Sequence, residues 1–172
     1  MNSSPAHIHQ ISISPGGVPK LAVPQARITR DGVEGDKQND VKHHGGPERA
    51  VCLLAMEVIE RLRAEGHPIA PGTTGENLTT VGLDWTAVAP GARLEIESAN
   101  STEPVELEVV SYTSPCSAIR ESFNDLEFRR IKQDLHPGDS RVYARVRREG
   151  VVRTGATVRL IPGTSNIPTH IN

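Results

Sequence analysis

Apolar residues alternate with polar residues in several short segments of the chain, which is the pattern of β-strands. Residues 7–14 (HIHQISIS) place three isoleucines among polar residues and are followed by the turn sequence PGG. The other segments of strand length are residues 26–29, 49–55, 76–80 and 142–160. Turns at Glu149-Gly150 and Thr154-Gly155 divide the last of these segments. The pattern predicts many short strands.

Two further segments have the alternation of neighbouring strands. Residues 93–97 and 105–110 each carry an apolar residue at every second position. We expect their apolar side chains to share one face of a sheet. These side chains are Leu94 and Ile96 on the first strand, and Val105, Leu107 and Val109 on the second.

Helical spacing is limited to three places. Residues 56–65 put Met56, Ile59 and Leu62 on one face, and Gly66 follows as a stop. A short helix is expected over residues 116–123, directly after Pro115. The pair Asn124 and Glu127 resembles a capping box, which predicts a second longer helix continuing to residue 135.

Composition favours one β-rich domain. The 172 residues include 15 glycines and 13 prolines, which imply many turns, and only 3% are aromatic. Many short strands with few helices predict a mainly β fold, a closed or nearly closed mixed β-barrel. We expect a single domain over residues 1–172, with its core at about residues 7–161 and a frayed tail at residues 162–172.

Charge and termini argue against several classes of partner. The net charge of −2 gives no basic field, so nucleic-acid binding is not expected. The first ten residues lack an apolar signal region, and no apolar run approaches the length of a membrane span. Two cysteines without a secretory signal suggest a reducing compartment. A cytoplasmic protein without membrane attachment is expected.

Cys116 is the main candidate for chemistry. Its position after Pro115, at the start of a short helix, favours the thiolate, which is the form of cysteine that binds metals and attacks electrophiles. The alternative is a small buried structural cysteine. Cys52, inside the apolar run RAVCLLA, is expected to be of that structural kind.

Two glycine-containing segments could line a binding site. In the first, Gly45-Gly46 and Arg49 suit an anion-binding loop, although a plain surface turn explains them equally well. The preceding pair His43-His44 could bind zinc, but no second ligand cluster has zinc spacing. In the second, Gly75-Glu76-Asn77 could present the Asn77 amide to a heterocycle, or could be an ordinary turn.

Five segments in order resemble the MOSC domain, the C-terminal domain of molybdenum cofactor sulfurase, in a stand-alone bacterial-type member. They are GVEGDKQ (32–38), HGGPERAVCLL (44–54), PGTTGENLTTVGLD (71–84), the lone Cys116, and YARVRREGVVRTGATVRL (143–160). The resemblance extends over about residues 11–160. It implies a β-barrel of the pyruvate-kinase small-barrel type that binds the molybdenum cofactor, a pterin that holds the metal through sulfur.

The resemblance also implies roles for individual residues. Cys116 aligns with the cysteine that ligates molybdenum in amidoxime-reducing relatives, so it is the expected catalytic residue and metal ligand. Ser114 matches a cofactor-contacting position, and Asn77 falls in a strand that lines the same pocket. The expected residues of the pocket rim are His44, Gly45, Arg49 and Asp36. No pyridoxal phosphate is expected within this chain, because that cofactor belongs to a separate sulfurase domain.

The leading functional expectation is a molybdenum-dependent oxidoreductase. It would reduce small N-hydroxylated substrates, such as hydroxylamino bases or amidoximes, with electrons from a partner flavoprotein or iron–sulfur protein. One alternative is a sulfur carrier, in which a cysteine desulfurase loads a persulfide onto Cys116 for metallocofactor assembly. Another is a non-catalytic cofactor-binding module. A thiolate serves metal ligation and sulfur transfer alike, so the sequence leaves these open.

Overall fold

The computed structural model describes residues 3–37 and 45–164, and short strands dominate them. The strands are β1 His7–Ile13, β2 Leu21–Val23, β3 Gln25–Thr29, β4 Gly32–Val33, β5 Val51–Ala55, β6 Leu78–Val81, β7 Arg93–Ile96, β8 Val105–Tyr112, β9 Val142–Arg148, β10 Gly150–Arg153 and β11 Val158–Ile161. The α-helix is α1, Met56–Ala64. The 3₁₀ helices are Pro47–Arg49, Trp85–Ala87, Ser117–Ser122, Asn124–Leu126 and Phe128–Ile131.

Most strands belong to one mixed sheet. Eight strands are hydrogen-bonded in the order β11-β7-β8-β9-β5-β6-β1-β2, and β10-β3-β4 form a separate three-stranded sheet. The β5–β6 pair is parallel, and the other pairs within the two sheets are antiparallel. All five residues of β5 are buried, as expected for an inner strand with elements packed on both faces. The predicted mainly β fold is confirmed.

The regular ladders of the described residues do not form a closed barrel. The segment before β11 nevertheless lies beside β1. An isolated bridge pairs His7 with Thr157, and the Ile8 amide donates to the Ala156 carbonyl at 2.9 Å. The prediction of a β-rich domain is therefore confirmed. The hydrogen-bonded strands of the described residues do not close into a barrel.

The predicted pairing of residues 93–97 with residues 105–110 is confirmed. In the β7–β8 register, Leu94 lies opposite Leu107 and Ile96 lies opposite Val105. All four side chains are completely buried. Facing apolar pairs of this kind stabilise a sheet through cross-strand contact and fix its register.

The first predicted helix is confirmed, with an end close to the expected one. Helix α1 spans Met56–Ala64 and buries Val58, Ile59 and Leu62 against the core.

Among the residues that the structure describes, no helix is long and apolar enough to cross a membrane.

The predicted helix over residues 124–135 is wrong. Two short 3₁₀ helices, Asn124–Leu126 and Phe128–Ile131, take its place, and Asp125 and Leu126 have positive φ angles of 55° and 57°, which interrupt a right-handed helix. The Asn124 side chain makes no cap; its amide donates to the Gly66 carbonyl at 2.6 Å instead. A tertiary contact has therefore replaced the local capping box.

Candidate functional site

A cavity of about 210 Å³ lies where β5 and β9 meet the loops around them. It brings together residues from distant parts of the chain. The described residues that line it are Gly17, Val18, Lys20, Arg49, Cys52, Thr74, Gly75, Asn77, Cys116, Ala118, Ile119, Arg141 and Tyr143. We refer to it below as the thiol cavity, because both cysteines lie on its wall.

Cys116 lies on the loop side of the thiol cavity. It follows β8 by four residues and is exposed. The short helix predicted after Pro115 is present as the 3₁₀ helix Ser117–Ser122, which Cys116 precedes in extended conformation without a side-chain capping bond. The thiol is therefore positioned by the loop and is reachable from solvent.

Cys52 lies on the sheet side of the same cavity. It is opposite Tyr143 in the β5–β9 register, so the two side chains point to the same face of the sheet. Burial raises the pKa of the Cys52 thiol, although the positive charge of Arg141 opposes this shift. The expectation that Cys52 is a buried cysteine is met, but it also contributes to the cavity wall.

Asn77 fixes the position of Cys52. The side-chain oxygen of Asn77 accepts a hydrogen bond from the Cys52 amide at 3.1 Å, and the Asn77 amide nitrogen donates to Asp36 Oδ2 at 2.9 Å and to the Ser12 carbonyl at 3.3 Å. The Asn77 backbone amide also donates to the Cys52 carbonyl at 2.8 Å. Both N–H groups of the Asn77 side-chain amide therefore donate to acceptors within the protein.

A buried ion pair supports the wall behind Asn77. Lys20 Nζ lies 2.5 Å from Asp36 Oδ2, and the two side chains are only 4% and 5% exposed. The Lys20 amide donates to the Gly72 carbonyl at 2.9 Å. A Cβ at Gly72 would come within 2.2 Å of the Lys20 carbonyl oxygen, so this close backbone approach requires glycine.

Glu76 and Arg141 are two further buried charges. The Glu76 carboxylate is fully buried and accepts hydrogen bonds from the Gly72 amide and the Thr74 hydroxyl, each at 2.6 Å. Arg141 directly precedes β9, is 5% exposed, and donates from a terminal nitrogen to the Thr74 carbonyl. Its Nε is buried and has no hydrogen-bond partner in the structure.

Tyr143 and Arg49 form the rest of the polar wall. The Arg49 guanidinium lies 5.9 Å from the centre of the Tyr143 ring, within cation–π range. Burial raises the pKa of the Tyr143 phenol strongly, and the neighbouring Cys52 thiol adds to this shift. The phenol therefore stays protonated over the physiological pH range.

The predicted site residues fall into three groups. Cys116, Asn77 and Arg49 line the thiol cavity. Gly45 and Asp36 line a neighbouring hollow of about 240 Å³ that shares Arg49 with the cavity. Ser114 is exposed and is not among the residues that line either space, and His44 lies outside the described residues.

Several residues that line the thiol cavity were not predicted from the sequence. The main ones are Lys20, Arg141, Tyr143 and Thr74. One signal was available for Tyr143: the strands 49–55 and 142–148 were both predicted, and pairing them would have placed it near Cys52. Lys20 and Arg141 had no local signal, because their meeting depends on the sheet topology.

No cluster of three or more His, Cys, Asp or Glu residues suited to a metal ion occurs within residues 3–37 and 45–164. The possible zinc ligands His43 and His44 lie outside these ranges.

A relative of similar sequence is known from Bacillus subtilis. An uncharacterised protein of Bacillus subtilis, YflK, is 29% identical over 150 residues; the alignment covers 87% of this chain and 64% of that protein. The chain thus spans less than two thirds of its relative's length.

Solved structures share the fold. YuaD from Bacillus subtilis matches with a TM-score of 0.69 at 18% identity, covering 94% of this chain and 98% of that one. YiiM from Geobacillus stearothermophilus matches with a TM-score of 0.67 at 24% identity, covering 91% and 75%. YiiM from Escherichia coli matches with a TM-score of 0.64 at 23% identity, covering 93% and 72%.

The family pattern of the MOSC domain matches residues 40–159, which is most of the chain and includes most of the thiol-cavity wall. The family that the sequence motifs resemble is therefore confirmed. The chain belongs to the MOSC domain family.

Proposed function

We propose that this protein binds the molybdenum cofactor in the thiol cavity and reduces small N-hydroxylated compounds. The observation that carries the proposal is the placement of the exposed Cys116 thiol on the wall of a cavity whose described lining has no carboxylate and includes Arg49 and Arg141, besides Lys20, which is paired with Asp36. A soft thiolate suits a metal already bound by sulfur, and the cations suit an anionic cofactor.

The residues of the cavity fit such a group. The buried Arg141 Nε lacks an acceptor, which a bound anionic group would supply. Gly75 leaves bare backbone on the wall: a Cβ there would lie 3.2 Å from Val18 Cγ1 and 3.9 Å from an Arg141 nitrogen. Cys116 is the only thiol that is both exposed and on the described wall.

The residues of the chain would act in distinct ways. Cys116 would be the catalytic residue and protein ligand to the metal. Asn77 would position Cys52 and the adjoining wall, because its amide is occupied by protein partners. The protonated Tyr143 hydroxyl would serve as a hydrogen-bond donor toward a bound group. When bound, the cofactor would supply two-electron redox chemistry.

The remaining predicted residues have a place in this proposal. Ser114, two residues before Cys116, would contact the cofactor at the cavity mouth. Arg49 would contribute charge at the boundary of the two hollows, and Gly45 and Asp36 would form the rim on that side. His44 lies outside the described residues, and its role as a rim residue stays a prediction from the family resemblance. A flavoprotein or iron–sulfur protein would deliver electrons at the exposed Cys116 side.

The barrel that the resemblance implies belongs to the same proposal. The His7–Thr157 bridge and the hydrogen bond from Ile8 to Ala156 bring the segment before β11 beside β1. We propose that these contacts complete a nearly closed barrel around the core.

Cofactor content tests the function directly. Wild-type protein from a cofactor-competent host should contain molybdenum and pterin in stoichiometric amounts and should reduce a hydroxylamino base or an amidoxime when given a chemical electron donor. Cys116→Ala should lose most of the metal and all reduction. Cys52→Ala is the matched control, and it should retain most of both.

The exposure of Cys116 also suits a second function, sulfur transfer, since a partner enzyme could reach the thiol. A cysteine desulfurase would place one sulfur atom on Cys116 as a persulfide, and that sulfur would pass to a metallocofactor. In that case wild-type protein would hold neither molybdenum nor pterin, and mass spectrometry would show one added sulfur on Cys116 after incubation with the desulfurase and cysteine. This pair of results would overturn the reductase proposal.

A third outcome would indicate a non-catalytic binding module: wild-type protein that holds the cofactor in stoichiometric amounts but does not reduce either substrate.

A further inference from the structure

Arg141 carries a buried positive charge that no described carboxylate pairs with. Its side chain lies on the wall of the thiol cavity and only 5% of the residue is exposed. Among the described residues, the one hydrogen bond of its side chain is to the neutral carbonyl of Thr74. A buried cation without an anionic partner is unfavourable, so such an arginine in a cavity wall points to an anion that comes from outside.

The Arg141 guanidinium has an N–H donor without an acceptor. Arginine has five N–H donors in a planar fork, and the buried Nε of Arg141 has no acceptor. Buried polar groups of native proteins are nearly always hydrogen-bonded, and exceptions occur where a ligand completes the set.

The neighbouring charges are already engaged. Asp36 holds Lys20 in an ion pair. The Glu76 carboxylate is occupied by the Gly72 amide and by the hydroxyls of Thr74 and Thr79. Neither acid makes an ion pair with Arg141 among the described residues, so no carboxylate of these residues accepts from its guanidinium.

The wall beside Arg141 is kept bare. Gly75 has a φ of +84° and lines the cavity, and a Cβ there would lie 3.9 Å from a terminal nitrogen of Arg141. A larger side chain at position 75 would cover part of the guanidinium. Glycine at this point leaves the approach open and exposes backbone near the charge.

We propose that Arg141 and Gly75 form an oxyanion subsite of the thiol cavity that takes a phosphate-type group. Arginine binds phosphate and carboxylate oxygens through paired, charge-assisted hydrogen bonds, which lysine does not reproduce. The group has two possible sources, the phosphate of a cofactor or an acidic group on the substrate. The subsite rests on the geometry of Arg141 and does not depend on the reductase activity proposed above.

Inorganic phosphate is the probe for this subsite. Isothermal titration of cofactor-free wild-type protein should show one site. Arg141→Gln should weaken phosphate binding by about 10-fold or more, because it removes charge-assisted hydrogen bonds. The matched control is Arg147→Gln, which removes the same charge from an exposed position on β9 and should change the affinity less than about 2-fold.

Two further measurements keep the test decisive if Arg141→Gln does not fold. Gly75→Ala leaves Arg141 intact and should also weaken phosphate binding. In wild-type protein, saturating phosphate should slow alkylation of Cys116, which shares the cavity, while leaving the alkylation of a model thiol unchanged. Absence of phosphate binding by folded wild-type protein, or equal affinities of the wild type and folded Arg141→Gln, would overturn the proposal.

A final arm identifies the source of the group. If cofactor-loaded protein no longer binds added phosphate, the subsite takes the phosphate of the cofactor. If loaded protein still binds phosphate with the Arg141 dependence intact, the subsite takes an acidic group of the substrate. Both outcomes support the subsite, and both can be read without measuring reduction.

Discussion

The two sides of the thiol cavity carry the same functional group in different settings. On the sheet side, Cys52 is buried in β5, with Tyr143 opposite it and Asn77 bonded to its backbone. On the loop side, Cys116 is exposed and has no side-chain capping bond.

This difference in burial indicates that the sheet side positions a bound group and that the loop side supplies the accessible thiol. Hydrogen bonds and strand pairing hold the sheet side in one arrangement, so it can position groups with little loss of entropy on binding. The loop side offers a thiol that a ligand or a partner can reach from solvent. Reactive groups on loops carried by a rigid scaffold are a common arrangement of functional sites.

The largest expected effect concerns the backbone packing that supports the sheet side. Gly72→Ala should lower the free energy of unfolding by about 3–5 kcal/mol, because the new Cβ would lie 2.2 Å from the Lys20 carbonyl and φ is +85°. Gly91→Ala is the control, since Gly91 has a φ of +96° with nothing within 4 Å, and it should cost about 1–2 kcal/mol. Urea unfolding measures both, and equal costs would contradict the requirement for close packing.

The next effect tests whether Asn77 holds the sheet side together. Asn77→Ala would remove the acceptor of the buried Cys52 amide and a donor to Asp36, so we expect a loss of about 2–4 kcal/mol in urea unfolding. Asn100→Ala is the matched control. Asn100 is exposed, although it also accepts a backbone hydrogen bond, and its loss should cost about 1 kcal/mol or less. Similar costs for the two variants would mean that Asn77 does not fix the wall.

Much of the sheet side follows from local sequence. Period-two alternation predicted most of the strands, and the apolar run around Cys52 predicted β5, whereas the short strands β2 and β4 were not predicted. The order in which strands pair is not local information, and it is this order that brings Lys20 and Arg141 to one cavity. Their joint placement was therefore not predictable from spacing.

On the loop side, the reactive residue was predicted from the sequence but part of the local structure was not. Cys116 was identified from its neighbours and from the family resemblance, and the short helix after it is present as Ser117–Ser122, but the longer helix expected over residues 124–135 is not formed. Arg130 binds Glu65 at 2.7 Å and Asp139 at 2.7 Å, and these contacts, together with that between Asn124 and Gly66, hold the segment in short turns. Tertiary contacts of this kind override local helix preference.

A smaller effect separates the two thiols by reactivity. Iodoacetamide should modify Cys116 at least about 10-fold faster than Cys52 near neutral pH, because burial shields Cys52 and raises its thiol pKa, which lowers its thiolate fraction. Mass spectrometry of a time course gives both rates. In urea the two rates should converge, which controls for local sequence, and faster modification of Cys52 in the folded protein would reverse the assignment of the reactive thiol.

The smallest expected effect concerns stability at the two cysteines. Cys52→Ala should cost about 1–2 kcal/mol at neutral pH through lost packing, whereas Cys116→Ala should change the free energy of unfolding by about 0.5 kcal/mol or less, since Cys116 is exposed. Urea unfolding of the two variants against wild type measures this difference. A cost of Cys116→Ala equal to that of Cys52→Ala would show that the loop side is as tightly packed as the sheet side.

The cost of Cys52→Ala should also depend on pH. Burial raises the pKa of Cys52 in the folded protein, so the unfolded chain loses its thiol proton first, at a pKa of about 8.5. The folded state then binds more protons than the unfolded state, and the stability that the neutral thiol contributes falls as pH rises through this range. The advantage of wild type over Cys52→Ala should therefore shrink above about pH 8.5. The comparison is made below about pH 9.5, where tyrosines of the unfolded chain are still protonated, because Cys52 itself contributes to the raised pKa of Tyr143. A wild-type advantage that stays constant to high pH would show that the folded and unfolded thiols ionise alike, and that the sheet side does not exclude the thiolate.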